Sequence, residues 1–99
     1  MKGIIWYYTN REYGIERLKQ LIQEYERIKI SCTRKIINSA MCEATFENGD
    51  IWRVVPTYES SRGSACNIAL IERGTPEREI HEIIMPCIKG YPYRAYNYW

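Results

Sequence analysis

Between residues 13 and 28 the apolar side chains Ile15, Leu18, Leu21, Ile22, Tyr25 and Ile28 recur with helical spacing, and Glu16, Arg17, Lys19, Gln23, Glu24 and Arg27 fill the remaining positions. The pattern predicts an amphipathic helix with one stripe to bury and one face in water. Pairs Glu16 with Lys19 and Glu24 with Arg27 are spaced to attract across a helical turn. A helix of this length draws most of its stability from the surface it covers. Residues 3–9, dense in Ile, Trp and Tyr and stopping at Thr9-Asn10, read as a largely buried strand ending in a turn, with Asn10 placed to cap the helix. A buried strand that feeds an amphipathic helix is the opening of an α/β fold.

The rest of the chain extends that reading. Residues 29–40 carry short extended pieces, Lys29-Ile30-Ser31-Cys32 and Arg34-Lys35-Ile36-Ile37, with no period that fixes their bounds. Cys42, Ala44 and Phe46 alternate with Glu43 and Thr45, Asn48-Gly49 follows, and residues 51–55 are again β-branched or aromatic. This predicts a hairpin whose Asn-Gly pair forms a type I′ turn. Residues 57–64 are small and polar and read as a loop; residues 65–71 form an apolar run that reads as a second strand buried on both faces. Thr75 is an expected N-cap, Pro76 an expected first helical residue, and Ile80, Ile83 and Ile84 an inner stripe that ends before Pro86. The last residues, 91–99, are an aromatic tail without a clear period. Strand, helix, hairpin, strand and helix make a single α/β domain over residues 1–99. Its small mixed sheet has the 3–9 and 66–72 strands as parallel neighbours and helices over at least one face.

Composition bounds the chemistry. The 99 residues suffice for one modest core, and 45% hydrophobic with 26% charged residues is ordinary globular usage. Fourteen Lys and Arg against twelve Asp and Glu leave a net charge of +2, interspersed along the chain, so bulk electrostatics does not argue for nucleic acid or a membrane. Apolar runs are far shorter than the roughly 20 residues of a membrane-spanning helix. No leader peptide is visible, so the chain is expected to be cytoplasmic, with Cys32, Cys42, Cys66 and Cys87 as free thiols. No Cys-x-x-Cys pair is present and the single histidine, His81, reads as a surface helix residue, so no metal, cofactor or catalytic residue is expected. Glycines 3, 14, 49, 63, 74 and 90 begin no P-loop, so autonomous ATP hydrolysis is not expected. Tyrosines beside Arg11, Arg53 or Arg94 could stack on bases, which keeps a single-stranded nucleic-acid-binding module as an alternative.

Over residues 46–55, 60–72 and 83–86 the chain resembles part of a phage terminase large-subunit ATPase domain. In that family a hairpin with an Asn-Gly turn leads to an Arg-Gly loop, and the next strand ends in the Walker B acids. The match spans roughly residues 42–86. By this resemblance the Arg-Gly loop falls on Arg62 and Gly63, the magnesium-holding acid on Glu72, and the catalytic glutamate on Arg73, where the charge is reversed. These four residues are the candidate interaction or vestigial site. The resemblance implies a truncated P-loop-NTPase-like core with its chemistry removed. The expected function is that of a non-enzymatic phage or prophage accessory protein that self-associates or docks on a phage protein. A nucleotide-binding half-site completed in trans by a partner chain is a further alternative.

Overall fold

Strands β1 (Lys2–Tyr7), β2 (Cys32–Ile37), β3 (Cys42–Phe46), β4 (Ile51–Pro56), β5 (Ile68–Ile71) and β6 (Ala95–Tyr98) form one mixed sheet in the order β2-β3-β4-β1-β5-β6. The computed structural model describes residues 1–57, 64–90 and 95–99. Strand β1 pairs in parallel with β4 on one side and β5 on the other, β5 pairs in parallel with β6, and β2, β3 and β4 form an antiparallel meander. The expected parallel pairing of the first strand with the strand after the polar loop is therefore present. The expected α/β class holds, as a mixed sheet with two helical segments.

Helix α1 spans Arg11–Arg27. It starts earlier than the apolar periodicity indicates, because the Asn10 carboxamide oxygen accepts the Glu12 N–H at 2.9 Å and the first turn is polar. At its other end Ile30 N–H donates to Tyr25 O and Lys29 N–H to Glu26 O, a Schellman closure. Lys29 occupies the left-handed position at φ 63°, where glycine is the usual residue. On the polar face Lys19 reaches Glu16 at 3.9 Å, but Glu24 pairs with Arg17 at 3.2 Å and not with Arg27 as its spacing suggested.

The two sheet faces carry separate cores. On one, Ile15, Leu18 and Leu21 of α1 pack against Ile5, Tyr7, Ala44, Phe46, Trp52 and Val54. On the other, Ile80, Ile84 and Ile88 pack against Ile4, Trp6, Ala69 and Ile71. Successive side chains of a strand point to opposite faces, so β1 feeds Ile5 and Tyr7 into one core and Ile4 and Trp6 into the other. Helical cover on both faces exceeds the expected minimum of one. Gly3 and Gly14 permit close approach: a Cβ on Gly3 would stand 2.4 Å from the Trp52 ring, and one on Gly14 would stand 2.6 Å from Val54. Tyr25 closes the end of the first core, stacked on Phe46 at 3.9 Å between centroids, its hydroxyl donating to Asp50 at 2.8 Å and accepting from Trp52 Nε1 at 3.0 Å.

The β3–β4 hairpin lies where Asn48-Gly49 places it, with a different turn. Phe46 O accepts the Gly49 N–H at 3.0 Å, and only Gly49, at φ 93°, has positive φ in the loop. This is the three-residue hairpin loop, a type I turn followed by a left-handed glycine, and not the type I′ turn expected. Asn48 stays out of the left-handed region while its Oδ1 accepts the Asp50 N–H at 3.0 Å. The second helical segment begins as α2 (Glu77–Glu79), widens into a π turn over Ile80–Ile84 and tightens into a 3₁₀ turn at Met85–Cys87. Pro76, extended at ψ 140°, is the N-cap, not the first helical residue; Thr75 is one position too early to cap and donates its hydroxyl to Glu72 O at 2.7 Å. Pro86 sits inside the 3₁₀ turn, so the helical segment runs through it and does not end before it as expected. Among the described residues no helix is long and apolar enough to cross a membrane.

Candidate functional site

The strand order reverses beside β1, which has β4 on one side and β5 on the other. The exit of β1 leads to α1 on one face, and the exit of β5, its neighbour, leads to α2 on the other. In open α/β sheets a crevice opens at the carboxyl ends of the strands at such a reversal. Here it is an open cavity of about 350 Å³ lined by Thr9, Tyr13, Glu16, Arg17, Gln20, Glu72, Arg73 and Trp99.

Glu72, immediately beyond β5, is buried, at 7% exposure. Its carboxylate accepts the Thr9 N–H at 3.0 Å, and the Thr9 hydroxyl lies 2.9 Å from both of its oxygens. Its backbone is fixed as firmly, with Glu72 N–H donating to Trp6 O and Thr75 N–H to Glu72 O. The resemblance implies a magnesium-holding acid at this position; here it ties the β1–α1 turn to the β5 exit. Arg73 is exposed, its N–H donates to Trp99 O at 3.0 Å, and no ion pair holds its guanidinium among the described residues. The structure thus brings Glu72 and Arg73 to one crevice. Arg62 and Gly63 lie outside the described residues, as does Arg94.

Other chemistry-bearing residues are dispersed. Among the described residues no cluster of His, Cys, Asp and Glu could hold a metal. Cys42 and Cys66 are buried and all four thiols are free. Burial pushes the Cys66 thiol up to about 11, with Cys87 adding to the rise and the Trp6 indole opposing it, and burial also raises Cys42 and Cys87. A thiolate nucleophile is disfavoured at these positions. His81 is exposed, and its side chain makes no hydrogen bond or ion pair among the described residues. Of the arginines considered for base stacking, Arg11 donates to Asn38 O and Arg53 is held by Glu43 at 2.9 and 3.1 Å.

Sequence reasoning missed two features. Thr9 and Trp99 reach the crevice only through the sheet order, which no local pattern states. Strand β6 is hidden in the aromatic tail because its alternation, Tyr96 and Tyr98 about Asn97, is too short to stand out. It lies at one sheet edge with all its residues exposed and none charged. The opposite edge, β2, carries Arg34 and Lys35, both exposed. No protein family, curated protein or solved structure matches this chain.

Proposed function

We propose that this chain is a non-enzymatic interaction module, an accessory protein of a phage or prophage whose sheet receives another chain at its edge. The observation that carries the reading is the contrast between the two edges. Charged side chains on β2 discourage strand addition, whereas β6 offers an exposed, uncharged edge. Descent from a truncated terminase-like ATPase core rests on the resemblance over residues 42–86 and gains support from Thr9 and Glu72. Those two residue types, a hydroxyl after the first strand and an acid ending its neighbour, are the pair that holds magnesium in P-loop NTPases. In this chain they bind each other directly, and the connection at residues 8–10 leaves no room for a phosphate-cradling loop.

Calorimetry with Mg-ATP and a phosphate-release assay test the reading. No binding heat at micromolar protein and no turnover above a buffer blank are expected. Micromolar binding or turnover would overturn it, and salt-sensitive retention on single-stranded DNA would move the function to nucleic-acid binding.

A further inference from the structure

Strand β6 has a polarity that its hydrogen bonds reveal. Ala95 N–H donates to Asn67 O and Trp99 N–H to Ile71 O, each at 3.0 Å, while Trp99 O accepts the Arg73 N–H. Residues 95, 97 and 99 therefore face β5, and strand alternation turns the N–H and C=O groups of Tyr96 and Tyr98 outwards. Among the described residues no hydrogen bond engages those groups. The side chains alternate about the other axis. Tyr96 pairs with Ala69 and Tyr98 with Ile71, so both phenols stand on the face of the second core, edge to face at 6.0 Å, and Asn97 stands on the opposite face beside Leu70.

We infer that β6 pairs antiparallel with β6 of a second copy of this chain, across a twofold axis at Asn97. The inference rests on the interaction-module reading and names its partner. In this register Tyr96 faces Tyr98 of the second copy at both ends, and each facing pair exchanges its N–H and C=O groups. Every outward backbone group is then satisfied. A register centred on Tyr96 or on Tyr98 leaves the other tyrosine's groups without the same partner. The side chains are as self-complementary as the backbone. Asn97 meets Asn97, an amide that both donates and accepts, and the tyrosines form a cross-strand aromatic cluster on one face. With no charge on β6, two copies meet without repulsion. Because β2 displays Arg34 and Lys35, the far edges resist the same pairing and assembly stops at two copies.

Sedimentation velocity across micromolar concentrations tests the register through charge. Tyr96→Lys with Tyr98→Lys places like charges opposite each other and is expected to give a monomer. Tyr96→Lys with Tyr98→Glu puts the same number of charges on the same edge but sets Lys against Glu at both ends, and a dimer is expected. Circular dichroism checks that both variants retain the fold. In the wild type the Tyr96 and Tyr98 amides are expected to exchange with deuterium more slowly as concentration rises, while the exposed Asn48 amide does not change. A monomeric wild type across the range, a dimeric Lys–Lys variant, or a monomeric Lys–Glu variant beside a dimeric wild type would each overturn the inference. A monomer that is also inert to nucleotide and DNA leaves the module reading standing with a different partner. Turnover of Mg-ATP removes the module reading itself.

Discussion

Thr57 and Thr9 are hydroxyl residues at the exits of neighbouring strands, with opposite energetic roles. Thr57 is fully buried and its Oγ1 has no hydrogen-bond partner among the described residues, although its N–H donates to Tyr7 O. A buried donor without a partner costs stability, so Thr57→Val is expected to be neutral or to stabilise by up to about 1 kcal/mol. Thr9→Val has the reverse effect, because it strips the hydroxyl from a buried carboxylate; a loss of about 1–3 kcal/mol is expected. Urea midpoints for both variants check the contrast. Tyr25 supplies a pH signature. Burial chiefly raises its phenol from 10.0 to about 12, assisted by Asp50 and opposed by the Trp52 hydrogen bond. Below pH 10 both folded and unfolded chains keep the proton and the contribution is whole. Between pH 10 and 12 the unfolded chain loses it first, so stability falls as pH rises through that window. The difference in urea midpoint between wild type and Tyr25→Phe is expected to shrink across it. At neutral pH the variant also loses about 1–3 kcal/mol, since Trp52 Nε1 is left without its acceptor and Asp50 loses one of its donors.

At the scale of the element, the end of α1 holds a correctable strain. A side chain in the left-handed region costs about 1–2 kcal/mol, partly offset by the greater freedom glycine has in the unfolded chain. Lys29→Gly is therefore expected to stabilise by about 0.5–1 kcal/mol, raising the thermal midpoint without altering the far-ultraviolet circular dichroism of the fold. How legible each element is follows from how local its cause is. Helix α1 and the hairpin are written in nearest-turn spacing: Leu18 and Leu21 need only a helical period, and Gly49 only a loop. The turn type was not legible, since Asn48 is compatible with either sign of φ and its own side-chain bond to Asp50 N–H decides the matter. The break of α2 into wider and tighter turns was not legible, since Ile80 and Ile84, four apart, share a face of an ordinary helix as well. The site divides in the same way. Glu72 is singled out only by the resemblance, and its partner Thr9, 63 positions away, becomes apparent only once β1 and β5 are neighbours.

At the scale of the whole molecule, β1 is the strand on which everything else is assembled: it is paired along both edges and buried on both faces. Its partners are remote, with Lys2 opposite Ile51 and Gly3 opposite Ile68. Closing loops of that size costs entropy before pairing repays it, and domains dominated by such contacts fold slowly for their length. Stopped-flow refolding is expected on the millisecond scale or slower. Ile5→Val, which thins the middle of β1, is expected to slow it more than an exposed change on α1 such as Lys19→Gln. The same arrangement sets a condition on synthesis. Strand β1 precedes every other strand of the sheet on its way off the ribosome, yet its second edge stays open until β5 has followed. Throughout that interval an apolar strand, Ile4-Ile5-Trp6-Tyr7, waits with an edge that any neighbouring nascent chain could occupy. The first strand to be made is among the last to be enclosed.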